Sequence, residues 1–153
     1  MASKLRSFKF LIPTMGFPKN CIRGIPDASY LPDGIVGSHL FYFDRPDRGD
    51  GWKDQSINWQ DDDSAIEFTL NQRKENGQLH FRAGAVILPR LEIDRLNRRP
   101  SVNGVLSYER QPLHNNRYHG NILLRSNVPK HQMKQIAAGL ALAVSETVSQ
   151  QQA

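Results

Sequence analysis

A chain of 153 residues with one cysteine, 39% apolar and 23% charged side chains suits one folded domain and excludes wholesale disorder and any intrachain disulfide. The formal charge of +5 hides a segregation along the chain. Residues 44–67 hold eight acids against three bases, and residues 82–134 hold ten bases against three acids.

The opening MASKLRSFKF has no apolar stretch long enough for a secretory signal. The longest apolar run, Ile136 to Val144, falls well short of the roughly 20 residues that cross a bilayer. The expectation is a soluble, cytoplasmic protein without membrane contact, folded as a single domain over residues 1–153. Residues 11–34 are expected to be rich in loops, because residues 13–34 contain four prolines and three glycines. Residues 35–43 (IVGSHLFYF) have the aromatic and branched side chains of a strand.

Residues 44–63 are acidic and rich in turn formers, which predicts a surface loop. Trp52 and Trp59 lie within it, as anchors or as interface residues. Next, Ile66, Phe68 and Leu70 alternate with polar residues, and Leu79, Phe81, Ala83, Ala85 and Ile87 repeat the pattern. With Asn76-Gly77 between them they predict a hairpin over 65–88 closed by a type I′ turn. A helix over 64–75 competes, since Ser64 and Glu67 have capping-box spacing.

Residues 105–110 and 117–125 read as a second strand pair, joined at His114-Asn115-Asn116. Met133, Ile136, Leu140, Val144 and Val148 then recur at three and four residues, predicting a helix over 128–149 with Asn127 as N-cap and Pro129 in its first turn. A frayed tail is expected over 149–153. The fold class that follows is α+β, a mainly antiparallel sheet with a long C-terminal helix packed on one face. Phe41, Phe68, Leu70, Phe81, Ile87, Ile122, Leu124, Ile136, Leu140 and Val144 are its expected core.

Two basic clusters are candidate anion sites. Arg125, Asn127, Lys130, His131 and Lys134 surround the start of the final helix, where free N–H groups attract anions. Arg90, Arg95, Arg98 and Arg99 form an arginine run, and the planar guanidinium suits phosphate. With Arg117 these residues make up the predicted surface for nucleic acid or another polyanion. Asp61, Asp62 and Asp63 offer carboxylates to a hard cation, but consecutive residues seldom converge on one ion. Cys21 reads as a small core residue, and the five histidines show no zinc-binding pattern. No nucleophile, nucleotide-loop or dinucleotide signature occurs, so no catalytic residue, metal ligand or cofactor is assigned.

The leading expectation is a non-enzymatic binding module that docks a polyanion on its basic surface. One alternative is a protein-interaction or self-assembling module, in which the acidic face of one copy meets the basic face of another. The other is a metal-assisted hydrolase using Asp61 to Asp63.

Overall fold

The computed structural model describes residues 16–150. Among them are six strands in one sheet, β1 (Asn20–Gly24), β2 (Trp52–Trp59), β3 (Ala85–Pro89), β4 (Leu106–Arg110), β5 (His119–Arg125) and β6 (Glu146–Val148). Their order across the sheet is β4-β5-β2-β1-β3-β6, and every neighbouring pair is antiparallel. Three α-helices accompany it, α1 (Ser64–Leu70), α2 (Arg90–Asn97) and α3 (Lys130–Ala143). The class is therefore mixed α+β.

Side chains alternate across each strand, so neighbouring residues divide the core in two. Cys21, Val86 and Leu88 belong to the larger cluster, with Ile57, Trp59, Ile122 and Leu124 from the sheet and Met133, Ile136, Ala137 and Leu140 from α3. Ile22, Ala85 and Ile87 face the opposite way and join Ala65 of α1 and Tyr118 in a smaller cluster. Cys21 is fully buried, and burial pushes its thiol up to about 12.

Several sequence expectations change. Residues 35–43 form no strand; a 3-10 turn occupies Ser38–Phe41 and buries Leu40 and Phe41. The physical reason is burial: the turn places Leu40 and Phe41, followed by Phe43, in the larger core cluster with Met133, Ile136 and Leu140 of α3. The loop-rich segment 11–34 contains an interior strand, β1, while residues 11–15 lie outside the described residues. The acidic loop expected over 44–63 is interrupted, because residues 52–59 form β2 and only residues 44–51 and 60–63 lie outside strands and helices.

The hairpin over 65–88 is also replaced. Residues 64–70 are helical, as the competing reading had it for this part. Ala65 and Thr69 are buried one turn apart, and Thr69 Oγ donates to the Ala65 carbonyl at 2.8 Å while accepting from Asn58 Nδ2 at 2.8 Å. The apolar alternation at 66, 68 and 70 sits on a single short helix whose buried line runs through its small residues. A local turn does form at Asn76-Gly77, but only Gly77 has positive φ, so it is not type I′.

Residues 105–110 and 117–125 pair much as expected, with Leu106 opposite Leu124 and Arg110 opposite Gly120. The final helix is shorter than predicted, 14 residues from Lys130 to Ala143, and its N-cap is Pro129 instead of Asn127. Val144 turns extended, Ser145 N donates to the Ile87 carbonyl at 2.9 Å, and Glu146–Val148 pairs with Ala85–Ile87. The open edge of β3 captures this segment, because its backbone groups need partners as much as the helix does. Of the expected tail over 149–153, Gln150 anchors to the Leu70 and Phe81 carbonyls at 2.8 and 2.9 Å, and residues 151–153 lie outside the described residues. Six of the ten predicted core residues are buried, whereas Phe68, Leu70, Phe81 and Val144 are half-buried at the margin. No helix among the described residues is long and apolar enough to cross a membrane.

Candidate functional site

The cationic candidates divide into two groups according to their partners. Arg90 donates to the Pro18 carbonyl at 3.1 Å and pairs with Asp94 at 3.3 Å, while Asp94 also accepts from the Tyr108 hydroxyl at 2.8 Å. Burial pushes that phenol up to about 12. Arg95 pairs with Glu92 one turn away on α2. Arg117 pairs with Asp62 at 2.8 Å and lies 4.4 Å over the Tyr118 ring. Its neighbour Arg110 pairs with Asp61, Nη1 to Oδ2 at 3.2 Å. The Tyr118 hydroxyl and Arg117 together hold the Asp62 carboxyl below its ordinary range. Asp61 and Asp62 are thus engaged by arginines, and among the described residues no cluster of three His, Cys, Asp or Glu side chains is arranged to hold a metal.

The second group is exposed and has no ion pair among the described residues: Arg98, Arg99, Arg125, Lys130, His131 and Lys134. They converge on one end of the sheet. β5 ends at Arg125, whose N–H donates to the Val105 carbonyl at 3.0 Å next to the start of β4. α2 ends beside the same point, where Asn97 brackets Leu106 with two bonds of 2.9 Å. Gln132 in the first turn of α3 donates to the Ser101 carbonyl at 3.0 Å and ties the turn that follows Arg98 and Arg99 to the helix start. Asn127 is exposed in the connection between β5 and α3.

Two of these cations rest on aromatic rings. The Arg125 guanidinium lies 4.1 Å from the centre of the Trp52 ring, and Lys134 Nζ lies 5.9 Å from that of Tyr42. Such contacts orient a long side chain while leaving its charge available. Trp52 is half-buried at this end, but Trp59 is fully buried and belongs to the core instead of a surface. Its indole N–H donates to the Glu109 carbonyl at 3.0 Å. The acidic segment 44–51 borders the cationic end, with the Gly51 carbonyl accepting from Ser126 N at 2.9 Å. Its Asp47 carboxylate accepts from the Gly49 and Gly51 amides, and Asp50 pairs with Arg48 at 3.0 Å.

On the α1 side of the sheet lies a cleft of about 270 Å³ among β1, β2, α1 and the turns near residues 80 and 115. Asn58 organises its buried wall, donating to Thr69 and to Gln72 at 2.9 Å and accepting from Asn116 at 2.8 Å. Ser56 and His119 line it from β2 and β5, with His119 Nε2 3.3 Å from Ser56 Oγ. Sequence reading picked out neither residue as a site. The only signal was period-two polarity at Asp54, Ser56 and Asn58, hidden inside a segment read as a loop.

Beside the cleft, Arg48 pairs with Glu109 at 2.6 Å, and Asn121 donates to the same carboxylate at 2.7 Å. Arg48 first, then Asn121, hold the Glu109 carboxyl below its ordinary range. A depressed folded pKa contributes stability above the unfolded value, and that contribution is lost as pH falls through the folded one. The wild type is therefore expected to lose more stability than Glu109→Gln on acidification from pH 6 into the carboxylate range. Urea midpoints at each pH check this, and parallel losses in the two proteins overturn it.

Comparison with protein-family models, curated proteins and solved structures finds no match for this chain. Its chemistry has to be read from the sites themselves.

Proposed function

We propose that this protein is a binding module whose cationic end engages a polyanion, nucleic acid in the first place. One observation carries the proposal: the arginines that sequence pattern linked to Arg98, Arg99, Arg125, Lys130, His131 and Lys134 are neutralised by carboxylates, while these six gather unpaired around the β5–α3 connection. Phosphate contacts of this kind fix position without reading sequence. Binding, rather than turnover, is what a surface of this composition performs.

The same ion pairs bear on the self-assembly alternative. Arg110 with Asp61, and Arg117 with Asp62, join the basic and acidic segments within one chain. Less opposite charge then remains to draw a second copy head to tail.

The five arginine and lysine side chains of this group release about five counterions on binding. Affinity for a fluorescent DNA duplex is expected to weaken roughly 500-fold between 50 and 200 mM salt. Replacing Arg98, Arg99 and Lys130 together by glutamine should reduce the slope of log K against log salt by about 2.7. Anisotropy titrations measure both, and a flat salt response or an unchanged slope in the triple variant overturns the proposal.

A further inference from the structure

The relay that lines the cleft plays no part in the cationic end. His119 Nδ1 lies 2.9 Å from the Gln111 carbonyl oxygen. A carbonyl only accepts, so Nδ1 carries the proton, and in the neutral ring Nε2 presents a lone pair. Ser56 Oγ, 3.3 Å away, donates its proton to that lone pair. The same oxygen accepts from the Arg45 guanidinium at 3.2 Å. Arg45 Nη1 also pairs with Asp54 at 3.4 Å, which ties the guanidinium to β2 beside Ser56.

Strand register fixes this arrangement. Asn58 pairs with His119 and Ser56 with Asn121, so Ser56 and His119 are diagonal neighbours on one face of the sheet. Both open onto the cleft, whose apolar wall is Ile22, Phe81 and Leu113. A hydroxyl nucleophile needs these elements: a base within hydrogen-bond reach, a third group holding the base in the right tautomer, and a cation close to the reacting centre. Separations slightly above 3.2 Å are usual for such pairs before a substrate binds.

We propose that Ser56 and His119 form an acyl-transfer site that hydrolyses small carboxylic esters, with the acyl group against Ile22, Phe81 and Leu113. Ser56 Oγ attacks the ester carbonyl carbon and its proton passes to His119 Nε2. The Arg45 guanidinium, 3.2 Å from Ser56 Oγ, offers positive charge to the carbonyl oxygen as it becomes negative. Collapse breaks the bond between the carbonyl carbon and the alkoxy oxygen, and the alcohol leaves with the proton from Nε2. Water then gives a proton to Nε2 as it attacks the acyl-serine, the carboxylic acid departs, and Oγ recovers its proton. Ester and water become acid and alcohol, with no other reactant. The activity goes beyond polyanion binding and shares no residue with it, so failure at either site leaves the other standing.

The probe is an alkyl fluorophosphonate, which loses fluoride as a serine oxygen bonds to phosphorus. Peptide mapping by mass spectrometry is expected to place the adduct on Ser56, formed about 10²- to 10⁴-fold more slowly in His119→Gln, the range for loss of a general base. A second measurement needs no variant: hydrolysis of p-nitrophenyl acetate and butyrate by the wild type should disappear in step with Ser56 labelling. Absence of a Ser56 adduct under conditions that fully label a serine hydrolase control, equal labelling in a folded His119→Gln, or ester hydrolysis that survives complete labelling each overturns the proposal.

Discussion

Leu140→Ala is expected to destabilise the protein by about 2–5 kcal/mol, the range for deleting a fully buried leucine from a core that relaxes incompletely. Leu140 is 0% exposed, and it shares the larger cluster with Ile136, Met133 and sheet residues such as Val86 and Leu88. The loss combines the transfer of its methyl groups back to water with the cavity left between α3 and the sheet. For a domain of this size each kcal/mol lowers the melting temperature by roughly 2–4 °C. Thermal and urea unfolding test it, and a change below about 0.5 kcal/mol, ordinary for a surface site, would mean that α3 does not pack as described.

Gly120→Ala is expected to cost about 3 kcal/mol or more, at or beyond the upper end for overpacking. Gly120 sits in β5 opposite Ile57 and Arg110, and the Trp59 indole lies across it to reach the Glu109 carbonyl. A Cβ at this position meets both the indole nitrogen and that carbonyl oxygen well inside contact distance. The carbonyl belongs to a paired strand and cannot retreat without breaking the ladder. Moving the indole instead leaves its buried N–H unpaired, a loss of about 1–3 kcal/mol. Gly139→Ala provides the contrast. Its Cβ would meet only the tips of Leu96, at 2.9 and 3.2 Å, and a mid-helix alanine gains about 1 kcal/mol over glycine. Near-neutral Gly139→Ala beside strongly destabilised Gly120→Ala is the expected pattern in unfolding experiments. A mild Gly120→Ala would mean that Trp59 has another place to go.

The cationic end was partly legible because exposed charge is a property of composition and order. Arg98, Arg99, Arg125, Lys130, His131 and Lys134 could be picked out as basic, but not which arginines find carboxylates. Arg110 and Arg117 meet Asp61 and Asp62 across about fifty residues of chain, pairs that depend on α1 being a helix and on where it docks. The cleft was illegible for a related reason. Ser56 and His119 are brought together by the register of β2 with β5, and the density of aspartate and glycine around β2 masked the short period-two alternation at Asp54, Ser56 and Asn58.

Sequence by itself determined the class of the fold, the pairing of residues 105–110 with 117–125 and the apolar line through Ile136 and Leu140, because each follows from local periodicity. It also determined that the cations concentrate in the second half of the chain. Tertiary structure alone decided that residues 52–59 enter the sheet, that Ser38–Phe41 fold into a 3-10 turn, and that Glu146–Val148 leave the helix for the edge of β3. For residues 52–59 and Glu146–Val148 the backbone's need for hydrogen-bond partners outweighed local preference, and for the 3-10 turn the burial of Leu40 and Phe41 did. The long-range contacts that set those edges also chose which charges are neutralised and which remain free to meet a partner.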